Sequence, residues 1–273
     1  MAVRVQSSAV PSTMLSPTER LALLLPLIGG TVFGILPFLL GGAFGPVLGA
    51  QGNDGFAYRL AGAATFGYAV ALALGLRQSN WAPLRLVVIA TLTFNIGSIY
   101  ACVAAIAAGA ANIVVYLIFG TSIAITAITF WVLNRHKDLP APMPDLSKQF
   151  PRSFAVGLVF AGLFGLIGLF IGSYFAQLFG FKGTEVFLYR QAGAASLGYA
   201  VMAVYAMRSN AWIEVRLPVV MAAVFNGLSF IASVVAIISG EPLLLAVVIG
   251  LVSLIVTIST LVTLQRDGKT QLD

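Results

Sequence analysis

RLAGAATFGYAVALALGLRQSNWAPLRLVVIATLTFNIGSI, residues Arg59 to Ile99, returns 131 positions later as RQAGAASLGYAVMAVYAMRSNAWIEVRLPVVMAAVFNGLSF, residues Arg190 to Phe230. Of the 41 paired positions 17 are identical, and most of these are not the generic aliphatics of an apolar run. They include Arg59/Arg190, Gly62/Gly193, Gly67-Tyr68/Gly198-Tyr199, Arg77/Arg208, Trp81/Trp212, Arg85/Arg216, Phe94-Asn95/Phe225-Asn226 and Ser98/Ser229. The match extends outward: Phe33-Gly34 and Gly41 fall on Phe164-Gly165 and Gly172, and Phe56 and Tyr58 on Phe187 and Tyr189. A duplicated unit decides architecture before any local feature does.

The medium around that unit follows from composition. Hydrophobic residues make up 59% of the chain, charged residues 9%, and the mean hydropathy is +0.99, against roughly 25% charged residues in a soluble domain. This predicts a polytopic membrane protein. Eight apolar stretches stand out, at Leu21 to Phe44, Tyr58 to Leu76, Leu84 to Ala107, Asn112 to Asn134, Phe154 to Phe179, Tyr189 to Met207, Val215 to Ser239 and Pro242 to Leu264. At ~1.5 Å per residue each is long enough to cross a hydrocarbon layer of about 30 Å. Each repeat therefore holds four spans, an even number, so the second enters the membrane from the same side as the first. The expected fold is all-α and integral to the membrane, with eight transmembrane helices as two parallel four-helix repeats related by a pseudo-two-fold axis along the membrane normal. The expected division is an N-terminal tail 1–20, a first repeat 21–134, a proline-rich linker 135–153, a second repeat 154–264 and a C-terminal tail 265–273.

Charge sets the orientation. With both termini in the cytoplasm, twelve of the fifteen Lys and Arg residues lie inside, and only Arg59, Lys182 and Arg190 outside; this is the positive-inside bias, and it places the chain in the cell membrane. The net charge of +6 is absorbed by that bias and calls for no nucleic acid. The lone Cys102 falls within a span, which excludes an internal disulfide or a thiolate cluster. The polar N-terminus precedes a run with two prolines and no small-residue cleavage site, so it reads as an uncleaved first span.

Residues suited to catalysis are sparse. His136 falls in the basic linker, where it reads as a solvated residue, and all nine acidic residues fall in loops or tails. A haem ligand or a proton relay belongs inside the spans. No phosphate loop, HExxH or GxSxG occurs. No catalytic residue, metal site or cofactor is expected.

The repeated polar residues sort by depth. Tyr68 lies nine residues from both Arg59 and Arg77, about 13 Å from either end of its span, and Asn95 lies about 15 Å deep in the next. Tyr199 and Asn226 repeat them, so four polar side chains gather near the midplane. Thr91, Asn95 and Ser98 share a helix face, while the matching span offers Ala222, Asn226 and Ser229. The plain structural account is a Tyr–Asn or Asn–backbone hydrogen bond joining helices two and three of each repeat. At the outer end, Arg59 and Arg190 either bind an anionic headgroup or pair with Asp54 and Glu185, five residues earlier, beside the aromatic belt of Phe56/Phe187 and Tyr58/Tyr189. At the inner end, Arg77, Trp81 and Arg85, with Arg208, Trp212 and Arg216, form R-x3-W-x3-R segments expected to anchor at headgroup level on anionic lipid. Ala63/Gly67 and Ala194/Gly198 are small-x3-small pairs for close helix approach; Pro26 and Pro37 bend the first span.

Four spans with a longer outer loop before a second span opening R-x-x-G resemble the DoxX-like four-helix membrane proteins; the likeness is one of layout and carries no function across. Three functions fit the sequence. The first is a non-catalytic scaffold or accessory subunit packing against partner helices and lipids. The second is a permease or channel for a small neutral or hydrophobic solute along the inter-repeat axis, past Tyr68, Asn95, Tyr199 and Asn226. The third is an enzyme acting on a lipid or quinone, for which the sequence supplies no acid, base or nucleophile set.

Overall fold

The computed structural model describes residues 14–47, 54–139, 142, 152–209, 211–241 and 243–270. The N-terminal tail up to residue 13, the outer loop from Gly49 to Asn53 and most of the proline-rich linker lie outside them. Among the described residues the chain is helical, with one isolated β-bridge between Met14 and Asn80. The helices are α1 (Pro17–Ala22), α2 (Leu24–Leu40), α3 (Phe44–Val47), α4 (Gly55–Gln78), α5 (Trp81–Ala107), α6 (Ile113–Arg135), α7 (Arg152–Leu178), α8 (Val186–Arg208), α9 (Trp212–Ile238) and α10 (Leu243–Thr270).

Seven helical stretches are long and apolar enough to cross a membrane; the protein is a multi-pass membrane protein. α8 matches them in length but not in apolarity. Its position accounts for this: flanked by α4, α5, α7 and α9, it needs less of the lipid-facing apolar surface that an outer helix must carry.

Several helices run a few residues past the apolar stretches, and polar side chains cap the starts of some of them. Asn80 accepts from the Ala82 N–H at 3.2 Å to start α5, and Asn112 accepts from Val114 and Val115, both at 3.1 Å, to start α6. α10 continues to Thr270, so residues assigned to the C-terminal tail are helical. The first span is broken at Leu23, three residues before Pro26, whose missing N–H leaves the preceding turn without its bond. It closes at Gly41, at φ +54°, one turn after Pro37. α7 is kinked at Ile171.

The packing crosses the two halves of the chain. α4 packs on α2 and α9, α8 on α7 and α5, α6 on α5, and α10 on α9. α4 therefore lies chiefly against α9 rather than against α5, its neighbour in sequence. The α2–α4 and α7–α8 approaches are tight: a side chain at Gly62 would come within 2.6 Å of the Gly34 carbonyl oxygen, and one at Gly193 within 2.7 Å of that of Gly165. Small residues let two backbones meet where lipid supplies no hydrophobic drive. The central core holds Tyr68, Leu72, Leu84, Val87, Tyr199, Met202, Val215 and Met221, with Leu15 and Leu23 closing it at the end where α4 stops and α5 begins, named the inner end after the charge bias and the opposite one the outer end.

Candidate functional site

Tyr68 and Tyr199 meet at the centre of the molecule with ring centroids 5.0 Å apart, edge to face. The Tyr68 hydroxyl donates to the Ala195 carbonyl at 2.7 Å, and the Tyr199 hydroxyl to the Ala64 carbonyl at 2.9 Å. Each hydroxyl occupies the space left by the glycine that precedes the opposite tyrosine. A Cβ at Gly198 would lie 2.0 Å from the Tyr68 oxygen, and one at Gly67 2.0 Å from the Tyr199 oxygen. The repeated Gly-Tyr pair is thus one device, a ring and the hole for its counterpart. Phe94 and Phe225 extend the row, at 5.3 Å from Tyr68 and 4.7 Å from Tyr199.

Two sequence expectations change here. No Tyr–Asn bond joins α4 to α5 or α8 to α9: Asn95 donates to Thr91 O and Asn226 to Ala222 O, both 2.8 Å and both within their own helix. The tyrosines, not the asparagines, make the interhelical bonds. And the path past Tyr68 and Tyr199, which one of the three functions supposed, meets a row of four packed rings.

Open volume lies to either side of that row, in two cavities that share no lining residue. The larger, about 580 Å³, sits between α2, α4, α5 and α6, with Thr91, Asn95, Ser98, Thr121 and Ser122 in its wall and the start of α8 at its outer end. The smaller, about 210 Å³, sits between α4, α7, α8, α9 and α10; phenylalanines 160, 164, 175 and 181 line it, with Asn226 and Ser229. Their difference follows from the outer helices. α7 and α10 touch across the smaller cavity, whereas no packing face joins α2 to α6 among the described residues. The full stripe of Thr91, Asn95 and Ser98 faces the wider space; where the stripe has Ala222, the space is narrower. Ser122 donates to Ser98 at 2.9 Å, tying α6 to α5.

At the outer end the carboxylates do not pair with the arginines that follow them. Tyr58 donates to Glu185 at 3.2 Å, and Tyr189 donates to Asp54. Arg59 instead lies 3.8 Å from Glu241, which also accepts from the Phe56 N–H at 3.0 Å and so caps α4 from the α9–α10 connection. Arg190 is half-buried and forms no ion pair among the described residues. Burial raises the carboxyl of Glu185 above its usual range and the neighbouring Asp54 adds to this, while the bond from Tyr58 opposes it.

The inner end is also more enclosed than the sequence suggests. Trp81 and Trp212 are buried rather than headgroup-facing. Trp81 stacks on His136 at 4.6 Å, and His136 Nε2 lies 3.1 Å from Glu19 Oε1, which Arg135 also approaches at 3.4 Å. His136 is therefore packed and bonded, not solvated. Glu19, buried, completes a capping box with Ser16, and Leu15 N–H donates to Ser79 O at 2.9 Å. Glu214 is helical and buried; Arg85 pairs with it at 2.9 Å, and Ser209 donates to it at 2.7 Å. Arg77, Arg208 and Arg216 are exposed.

Residues overlooked in the sequence are Gly67 and Gly198 as receptors for a hydroxyl, Glu241, and the Glu19–His136 pair. Glu241 carried a signal, being the remaining acidic residue on the outer side. Comparison of the chain with protein-family models, with curated proteins and with solved structures finds no match.

Proposed function

We propose that the protein is a non-catalytic membrane protein that binds, and passes, a small amphiphile through the cavity between α2, α4, α5 and α6. The observation that carries this is the cavity itself: about 580 Å³, within the range of about 300–1,000 Å³ typical of small-molecule sites, apolar over most of its wall and polar at Thr91, Asn95 and Ser98. The route is lateral rather than axial, since the ring row of Phe94, Tyr68, Tyr199 and Phe225 fills the centre.

We further infer that the chain is a tandem of two four-helix units about a pseudo-two-fold axis, with both termini cytoplasmic in the cell membrane and anionic lipid at Arg77, Arg208 and Arg216. Support comes from bonds that recur at the same 131-residue offset: Tyr68 to Ala195 with Tyr199 to Ala64, and Tyr58 to Glu185 with Tyr189 to Asp54.

The test is saturable binding of short-chain amphiphiles to the protein in lipid nanodiscs, with empty nanodiscs subtracted. Thr121→Phe, which places a ring in the cavity, is expected to abolish it. Absence of saturable binding by the unaltered protein contradicts the proposal. A scaffold or accessory role has its own support in Gly120 and Gly157, where an added Cβ would meet nothing within 4 Å; a partner helix has room there. Co-purification of a stoichiometric membrane partner lost on Gly120→Leu would favour it.

A further inference from the structure

Most of the hydroxyl protons lining the larger cavity are engaged, so its hydroxyls offer an occupant mainly lone pairs. A hydroxyl has one proton to give. Thr65, Thr91 and Thr121 give theirs to the backbone oxygens of Ala61, Val87 and Leu117 at 2.8–2.9 Å. Ser122 gives its proton to Ser98, and the Gln191 amide lies 3.7 Å from the Cys102 sulfur. Asn95 donates one N–H to Thr91 O, and its Oδ1 takes no part in that bond.

Charge has the same sense. Among the described residues no Lys, Arg or His lines the cavity, and Glu185 is the one carboxylate there. That side chain is 6% exposed; its Oε2 accepts from Tyr58, while its Oε1 is buried with no hydrogen-bond partner. A buried carboxylate oxygen without a donor is costly, and a charged donor relieves the cost.

We propose that the occupant of this cavity is a small amphiphile with a primary ammonium head, its ammonium at Glu185 and its apolar body along α2, α5 and α6. This rests on the cavity being a binding site. Acceptor-rich walls and one carboxylate favour a donor-rich cation and disfavour an anion, which would meet lone pairs and a like charge.

The experiment compares hexylamine, hexanol, hexanoate and methyl pentyl ether by calorimetry on the protein in nanodiscs, with empty nanodiscs subtracted. Hexylamine is expected to bind most tightly, hexanol more weakly, and hexanoate and the ether not at all. Glu185→Gln keeps an acceptor for Tyr58 and is expected to weaken hexylamine by about tenfold or more, with hexanol unchanged; the hexanol result shows that the variant is folded. Hexanoate or the ether binding as tightly as hexylamine, with Thr121→Phe abolishing both, overturns the ammonium assignment and leaves the cavity a site. Hexylamine affinity untouched by Glu185→Gln overturns it as well. If none of the four binds, the ammonium assignment and the binding role fall together.

Discussion

Tyr68 places its hydroxyl oxygen where the side chain of residue 198 would stand, 2.0 Å from the position of a Cβ on Gly198. The reciprocal contact, Tyr199 on Gly67, locks α4 and α8 together at their centre, and it is the more testable of the two. After the hydroxyl, the nearest atoms to a Cβ at Gly67 are Met221 O at 3.1 Å and the Tyr199 ring carbon at 3.4 Å. Gly67→Ala is expected to cost about 1–3 kcal/mol through overpacking, read as a lower melting temperature in detergent. Tyr199→Phe in the same chain should restore most of it. Additive losses in the double variant would refute the fit of hydroxyl into glycine.

Asn95 bonds to its own helix, so its removal breaks no link between helices. Asn95→Leu should change stability by less than about 1 kcal/mol while weakening amphiphile binding in nanodiscs. A large loss of stability with unchanged binding would return Asn95 to a structural role.

Glu185 makes stability depend on pH with a definite sign. Its carboxyl is raised above the ordinary 4.5, so the folded chain keeps a proton that the unfolded chain has already released. Stability contributed by the protonated form is present below pH 4.5 and is lost as pH climbs through the raised value. The melting temperature of the native protein should therefore fall across that window relative to Glu185→Gln. A native melting temperature that rises across that window relative to Glu185→Gln would contradict the assignment.

Glu19 holds residues 14–23, a strap across the inner end, through His136 and Arg135. Glu19→Ala leaves both without their carboxylate and is expected to free residues 14–23 for cleavage by added protease. Unchanged protection would show that the burial of Leu15 and Leu23 alone retains the strap.

Much of this architecture was legible, because apolar runs and a 131-residue repeat are properties of the sequence itself. The depth of Tyr68 and Asn95 could be counted from Arg59, Arg77 and Arg85. Partners could not. Tyr68 and Tyr199 bond to backbone carbonyls, and a carbonyl acceptor leaves no mark in the residue it belongs to; the trace was the glycine beside each tyrosine. Asp54 and Glu185 sit near Arg59 and Arg190 in sequence, yet each faces a tyrosine across the molecule, since α4 and α8 lie together. His136 looked solvated because its partner, Glu19, is 117 residues away. The cavities depend on whether α2 meets α6 and α7 meets α10, and no local pattern encodes those distances.

The account turns on an open lateral cavity beside a closed centre, and cysteine accessibility measures both. With Cys102→Ala as background, Asn95→Cys and Ala195→Cys are treated with N-ethylmaleimide in native membranes, with and without hexylamine. The account predicts that Asn95→Cys is alkylated and protected by hexylamine, while Ala195→Cys, beneath Tyr68, stays unreacted. An inert Asn95→Cys, or equal alkylation of both, would contradict it.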